Sequence, residues 1–133
     1  MIYIDSNIFI FAILDTEDHG EACRSLLSKI KTRQIEAATS SLTYDEVVRE
    51  VKKHKGLDNA VYAGEYFLKM SNLFLFNATR ETMLEANKLV KAHGLDPRDA
   101  IHAASCLLNN IKTIISEDPH FDKLDFLKRK PLT

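Results

Sequence analysis

Met1-Ile2-Tyr3-Ile4-Asp5-Ser6-Asn7 is the stretch on which the fold turns. Its first four residues are a short apolar run rich in β-formers. Asp5 ends the run, and Ser6-Asn7 lead into a second apolar stretch, Ile8 to Leu14. The pattern predicts a buried strand that delivers one carboxylate to its C-terminal edge. Ligand sites of open α/β sheets lie outside the carboxyl ends of strands, which makes Asp5 the first site candidate. The rival reading is a helix N-cap or turn residue, the commoner role of an Asp after a strand. The placement of the other acids separates the two.

Outward from this strand, the chain alternates. Asn7 to Leu14 reads as a short apolar helix, and a second helix starts at Glu21 with Ala22, Leu26, Leu27 and Ile30 at helical spacing. Ile35 to Thr39 is the second strand. Ser40-Ser41 is a cap signal for a helix that turns Val47, Val48 and Val51 inward and ends in Lys52-Lys53-His54-Lys55-Gly56. Leu57 to Met70 reads as a helix with a mixed face of Val61, Tyr62, Tyr66 and Phe67, and Leu73 to Phe76 as the third strand. Thr79 caps a helix that runs towards Gly94. Asp96 and Pro97 open a helix to about Asn109, small or apolar on most sides and therefore central. Thr113 to Ser116 is the fourth strand, and the tail has room for a short edge strand. Strands alternating with helices predict an α/β fold, a three-layer α/β/α sandwich on a mainly parallel sheet of four or five strands.

The chain has 133 residues, enough for one domain over 1–133 that buries about two-thirds of its unfolded surface. With 45% hydrophobic and 28% charged residues it reads as an ordinary globule, and no linker, repeat or low-complexity tract divides it. A net charge of -1 excludes a global pull towards nucleic acid or anionic lipid. An anionic partner would be held by local cations or bound metal. Cys23 and Cys106 lie in no metal-ligand spacing and read as reduced core residues. With no apolar run near the roughly 20 residues of a membrane span and no basic leader, the expectation is a cytoplasmic, unprocessed protein without a membrane partner.

Four acids occupy equivalent mechanical positions: Asp5 after strand one, Glu46 in the first turns after strand two, Asp99 in the first turn of the buried helix, and Asp118 after strand four. In a parallel sheet, strand C-termini and the starts of the following helices share one edge. Asp5, Glu46 and Asp118 therefore meet there by topology. Asp99 opens the helix that leads into strand four, so its approach to that edge is permitted but not imposed. Clustered carboxylates repel and shift one another's pKa upward unless a cation is present. Oxygen-rich acidic sites suit Mg²⁺ or Mn²⁺, which lower the pKa of bound water and shield a phosphodiester in its transition state. Asn7 and Ser116 stand beside the cluster as neutral groups suited to orienting a water or a scissile phosphate.

Asp5-Ser6-Asn7 after the first strand, Glu46 behind Ser40-Ser41, Arg98-Asp99-Ala100-Ile101-His102-Ala103-Ala104, and Ile115-Ser116-Glu117-Asp118-Pro119-His120-Phe121-Asp122 together resemble a PIN domain, most closely the short prokaryotic VapC-type members. The resemblance spans essentially the whole chain. It implies strand order 3-2-1-4-5 and a Mg²⁺- or Mn²⁺-dependent ribonuclease that leaves a 5′-phosphate. Such proteins are usually homodimeric and often the toxin of a toxin–antitoxin pair, inhibited by an antitoxin protein. Carried over by position, Asp5, Glu46, Asp99 and Asp118 match the family's acidic quartet, with Asp5, Asp99 and Asp118 as metal ligands. Ser116 and Asn7 match its small polar positions, and Asp122 stands as an outer acid. Glu117 puts a second negative charge beside Asp118.

Blander readings compete at each position. Thr43-Tyr44-Asp45-Glu46 fits a capping box, and Asp45 is the alternate acid one residue away. Asp99 also complements its helix dipole, and Asp118-Pro119 also fits a turn. His102 reads as a core histidine bonded to backbone in preference to a ligand, and His120 as exposed enough to touch RNA but not counted among the site residues. Lys52, Lys53, Lys55, Lys128, Arg129 and Lys130 read as solvated ends that are also the best phosphate contacts. Tyr62, Tyr66 and Phe67 read as core or dimer surface. An aspartyl-nucleophile phosphatase at Asp5 fails because Asn7 cannot supply the second carboxylate. A catalytically silent PIN-fold module that binds RNA or a protein is the alternative to the nuclease.

Overall fold

Each short apolar run becomes a strand and each helical-period run a helix. The order is β1 (Ile2–Ile4), α1 (Ser6–Leu14), α2 (Asp18–Lys31), β2 (Ala37–Ser40), α3 (Leu42–Lys55), α4 (Leu57–Leu68), β3 (Leu73–Phe76), α5 (Arg80–His93), α6 (Pro97–Leu108), β4 (Thr113–Ile115) and β5 (Lys128–Lys130). A 3-10 turn at Pro119–Lys123 joins the last two strands. This is a computed structural model that describes residues 1–132. The strands form one parallel sheet in the order β3-β2-β1-β4-β5, as the resemblance implies.

Side chains alternate across the sheet and feed two cores. Ile4 and Ala37 pack with α1, α2, α3 and α4, around Phe9, Leu27, Val47 and Phe67. Tyr3, Ala38 and Ile114 pack on the opposite face with α5 and α6, around Leu89, Ala100, Ala103 and Phe121. Both cysteines are free and buried, one in each core. Among the described residues no helix is long and apolar enough to cross a membrane.

From β1 the chain moves outward to β2 and β3, then crosses to β4 and β5. The strand order thus reverses between β1 and β4, and the crevice beyond their carboxyl ends is where such sheets bind ligands. The register places the two exits side by side: Ile4 pairs with Ile115, and the Asp5 N–H donates to Ile115 O at 3.0 Å.

Local differences from the sequence reading have local causes. Asp5 caps α1, which therefore begins at Ser6 rather than Asn7. Helix α2 begins at Asp18, β2 is shifted to Ala37–Ser40, and α4 stops at Leu68. Ser41 makes no capping bond with α3. Ser40 Oγ accepts from the Leu42 N–H instead, while Ser41 Oγ accepts from the Ala78 N–H. Helix α4 is rolled relative to expectation: Ala60, Ala63, Gly64 and Phe67 are buried, while Val61 and Tyr62 are exposed. Small residues let α4 lie close to α3; a Cβ on Gly64 would stand 3.0 Å from the Tyr44 ring. The run Lys128-Arg129-Lys130 is not a solvated end but β5 itself.

Candidate active site

Asp5 leaves β1 buried, only 4% exposed. Its Oδ1 accepts from the Ser6 N–H at 2.8 Å, and its Oδ2 from Ser116 Oγ at 2.5 Å. Ser116 is fully buried, so it orients Asp5 rather than a water or a phosphate as expected. The Ser116 hydroxyl also accepts from the Asp118 N–H at 3.0 Å and from Asn7 Nδ2 at 3.4 Å. One serine thereby ties Asp5, Asn7 and the start of the 3-10 turn together.

Asp99 does reach this edge. Asp96 accepts from the Arg98 N–H and sets the first turn of α6, and Asp99 then faces Asp118. Asp5, Asn7, Glu46, Asp99 and Asp118 line one cavity of about 340 Å³. Of the adjacent acids, Asp118 is the one in the cavity; Glu117 Oε1 accepts from the Leu132 N–H at 2.6 Å. Asp118 also keeps its turn role, with Oδ1 accepting from the His120 N–H at 2.9 Å. His120 Nδ1 lies 3.1 Å from Asp118 and 3.5 Å from Asp99, so Asp99, Asp118 and His120 present ligand atoms close together.

Glu46 is not a capping residue. Thr43 Oγ1 shares a hydrogen bond with Thr39 at 2.7 Å, and Glu46 reaches across instead to Ser6 Oγ at 2.9 Å and His102 Nε2 at 2.6 Å. Asp45 faces outward and pairs with Arg49 at 3.0 Å, which excludes the alternate register. His102 is the residue the sequence reading missed. It is buried as expected, but its partners are the Glu46 carboxylate and the Tyr3 hydroxyl, not backbone. The available signal was its place one helical turn beyond Asp99.

Asp122 does not join the acids. It forms a two-point pair with Arg129 on β5, whose Nη1 also donates to Ser116 O at 3.2 Å. Arg129 is thereby committed to the fold, while Lys128 and Lys130 stay exposed. Of the α3 cations, Lys53 lines the acidic cavity together with Arg49 and Arg98; Lys52 and Lys55 do not.

Burial raises the Asp5 carboxyl above its ordinary range, against the opposing pull of His102 and Ser116. Asp99 is pushed up to about 6, by burial first and then by the charges of Asp118 and Asp5. Burial alone would lower His102, but the Glu46 hydrogen bond and the Asp5 charge overcome it and raise the imidazole. Two carboxyls lifted in one crevice favour a bound cation. The donors also fit one: the facing groups are carboxylate oxygens, and Asn7 Oδ1 is buried without a protein partner. Such a set suits Mg²⁺ or Mn²⁺.

A family model described as PIN domain matches residues 2–127. Ribonuclease VapC2 of Methanocaldococcus jannaschii is 24% identical over 140 residues, covering 96% of this chain and 91% of that protein. The fold is that of Mycobacterium tuberculosis VapC20, a sarcin-ricin loop cleaving toxin: TM-score 0.79 and 15% identity over 96% of this chain and 98% of that one. It is also that of VapBC2 from Rickettsia felis bound to a promoter DNA fragment: TM-score 0.74 and 20% identity over 98% of both chains. With the match running from β1 to the residue before β5, the chain belongs to the PIN domain family.

Proposed function

We propose that the protein is a metal-dependent endoribonuclease, acting as the toxin of a toxin–antitoxin pair in the cytoplasm. The observation that carries this reading is the convergence of Asp5, Asp99 and Asp118, with Glu46 behind them, in a crevice rimmed by Arg49, Lys53 and Arg98. Asp5, Asp99 and Asp118 would hold Mg²⁺ or Mn²⁺. When bound, the ion supplies an activated water for in-line attack on phosphorus and shields the phosphate charge.

The chain's own groups do the rest. Ser116 and the Ser6 N–H hold Asp5 in one orientation, and Asp96 and Pro97 set the helix start that presents Asp99. Arg49, Lys53 and Arg98 attract the RNA backbone to a site that would otherwise repel it. Support for RNA as the substrate comes from the relatives named as ribonuclease and as a sarcin-ricin loop cleaving toxin. Support for an antitoxin partner comes from the VapBC neighbour. A homodimer accords with the family resemblance.

The test is cleavage of a panel of structured and single-stranded RNAs with Mg²⁺, with Mn²⁺ and with excess EDTA, comparing the protein with Asp99→Asn. Cleavage that requires the metal and is lost in a folded Asp99→Asn supports the nuclease. Equal cleavage by both proteins removes Asp99 from the site. Metal binding without cleavage of any RNA turns the reading to the silent binding module.

A further inference from the structure

We propose that His102 is a positioning residue of this site, holding Glu46 through an Nε2–H bond while Tyr3 fixes which way the ring faces. The inference rests on the nuclease reading and assigns a role to a residue outside the acidic quartet.

His102 is fully buried. Its Nε2 lies 2.6 Å from Glu46 Oε1 and 3.8 Å from Asp5 Oδ1, and its Nδ1 lies 2.6 Å from the Tyr3 hydroxyl. An ionised carboxylate only accepts, so Nε2 carries the hydrogen. Nδ1 then accepts from Tyr3 when the ring is neutral or donates to it when charged. Both states keep Nε2–H on Glu46, so the grip does not depend on the ring's charge. A flipped ring would lose both partners at once.

The grip connects three of the elements that build the site. Tyr3 lies two residues before Asp5 on β1, His102 one turn beyond Asp99 on α6, and Glu46 on α3. Ser6, next to Asp5, holds the other Glu46 oxygen at 2.9 Å. Glu46 is therefore located relative to Asp5 and Asp99 by their own neighbours. Apolar side chains at both His102 and Glu46 would fill the same space without burying charge, and buried ion pairs are weak sources of stability. The polar arrangement thus points to the site. Loss of outer hydrogen-bonding groups around a metal site typically lowers metal affinity or activity roughly 10- to 100-fold.

The experiment compares His102→Gln, His102→Asn and Tyr3→Phe with the parent, each checked for folding by circular dichroism. Mn²⁺ affinity is read by calorimetry, and kcat and KM on an RNA the parent cuts. The Gln amide nitrogen reaches the Nε2 position; the shorter Asn amide reaches only Nδ1. His102→Asn is expected to lose roughly 10- to 100-fold in Mn²⁺ affinity or kcat with KM near parental, and His102→Gln to stay within about threefold. Tyr3→Phe keeps Nε2–H but frees the ring and is expected to fall between them. A folded His102→Asn that matches the parent in both readouts overturns the proposal, as does an equal loss in Asn and Gln. Should neither His102 variant fold, a parental Tyr3→Phe overturns it. If the parent binds Mn²⁺ but cuts no RNA, the nuclease reading fails, and the affinity series alone judges the positioning role. A parent that binds no Mn²⁺ overturns both.

Discussion

At neutral pH, in the absence of metal, Asp99 is charged at some cost to the fold. Its carboxyl is lifted to about 6, by burial first and then by Asp118 and Asp5. Folded protein holds this proton where the unfolded chain, near 3.8, has lost it. The contribution of Asp99 to metal-free stability is therefore full below the unfolded value and is lost as pH rises through about 6. Asp99→Asn is expected to raise the metal-free Tm at pH 7.5 by a few °C, on the order of 1 kcal/mol. The gain should shrink at pH 5, and saturating Mn²⁺ should reverse the order, because only the parent gains from binding. Calorimetric scans at the two pH values, with and without Mn²⁺, check this. Asp122, paired with Arg129 away from the cavity, makes a contrasting case. Asp122→Asn is expected to leave cleavage within about twofold, measured on the same RNA. Asp5 and the Asp96 cap before Asp99 were legible in the sequence because strand ends and helix caps are local signals. The role of His102 was not, since its partners lie 99 and 56 residues away.

Helix α4 shows how an element's type is easier to read than its orientation. Large apolar residues drew the expected face to Val61, Tyr62, Tyr66 and Phe67; Phe67 is buried, but the rest of the buried face follows Ala60, Ala63 and Gly64. Backbones approach closely only where side chains are small, and Tyr44 on α3 fills the space left by Gly64. Phe67→Ala is expected to cost about 3–5 kcal/mol, whereas Val61→Ser should change stability by less than about 0.5 kcal/mol. Urea unfolding of both variants measures the difference. Helix α3 likewise ends in cations as its sequence predicted, but of Lys52, Lys53 and Lys55 only Lys53 lines the acidic crevice. Which lysine of a run reaches a site depends on helix phase against a neighbour.

Over the whole molecule, 18 Lys and Arg nearly balance 19 Asp and Glu, so on the proposed ribonuclease reading attraction to RNA would have to be local. Arg49, Lys53 and Arg98 beside the acids would supply it. With Asp99→Asn as a binding-only background, Lys53→Ala is expected to lower the slope of log affinity against log salt by about 1, and Lys52→Ala to leave it unchanged. Fluorescence anisotropy over a salt series reads both slopes. The sequence by itself determined the order of strands and helices and the caps at Thr79 and Asp96, and its resemblance to the PIN domain implied the 3-2-1-4-5 sheet and nominated the quartet. Periodicity and capping arise between residues a few positions apart, and so they survive in a linear reading. Only the tertiary structure decided that Asp99 reaches the crevice, that Asp118 rather than Glu117 faces it, that Asp122 belongs to Arg129, and that His102 holds Glu46. Most of those outcomes are set by packing between elements distant in sequence, and even the Asp122–Arg129 pair depends on how a turn meets the strand after it, none of which leaves a periodic trace along the chain.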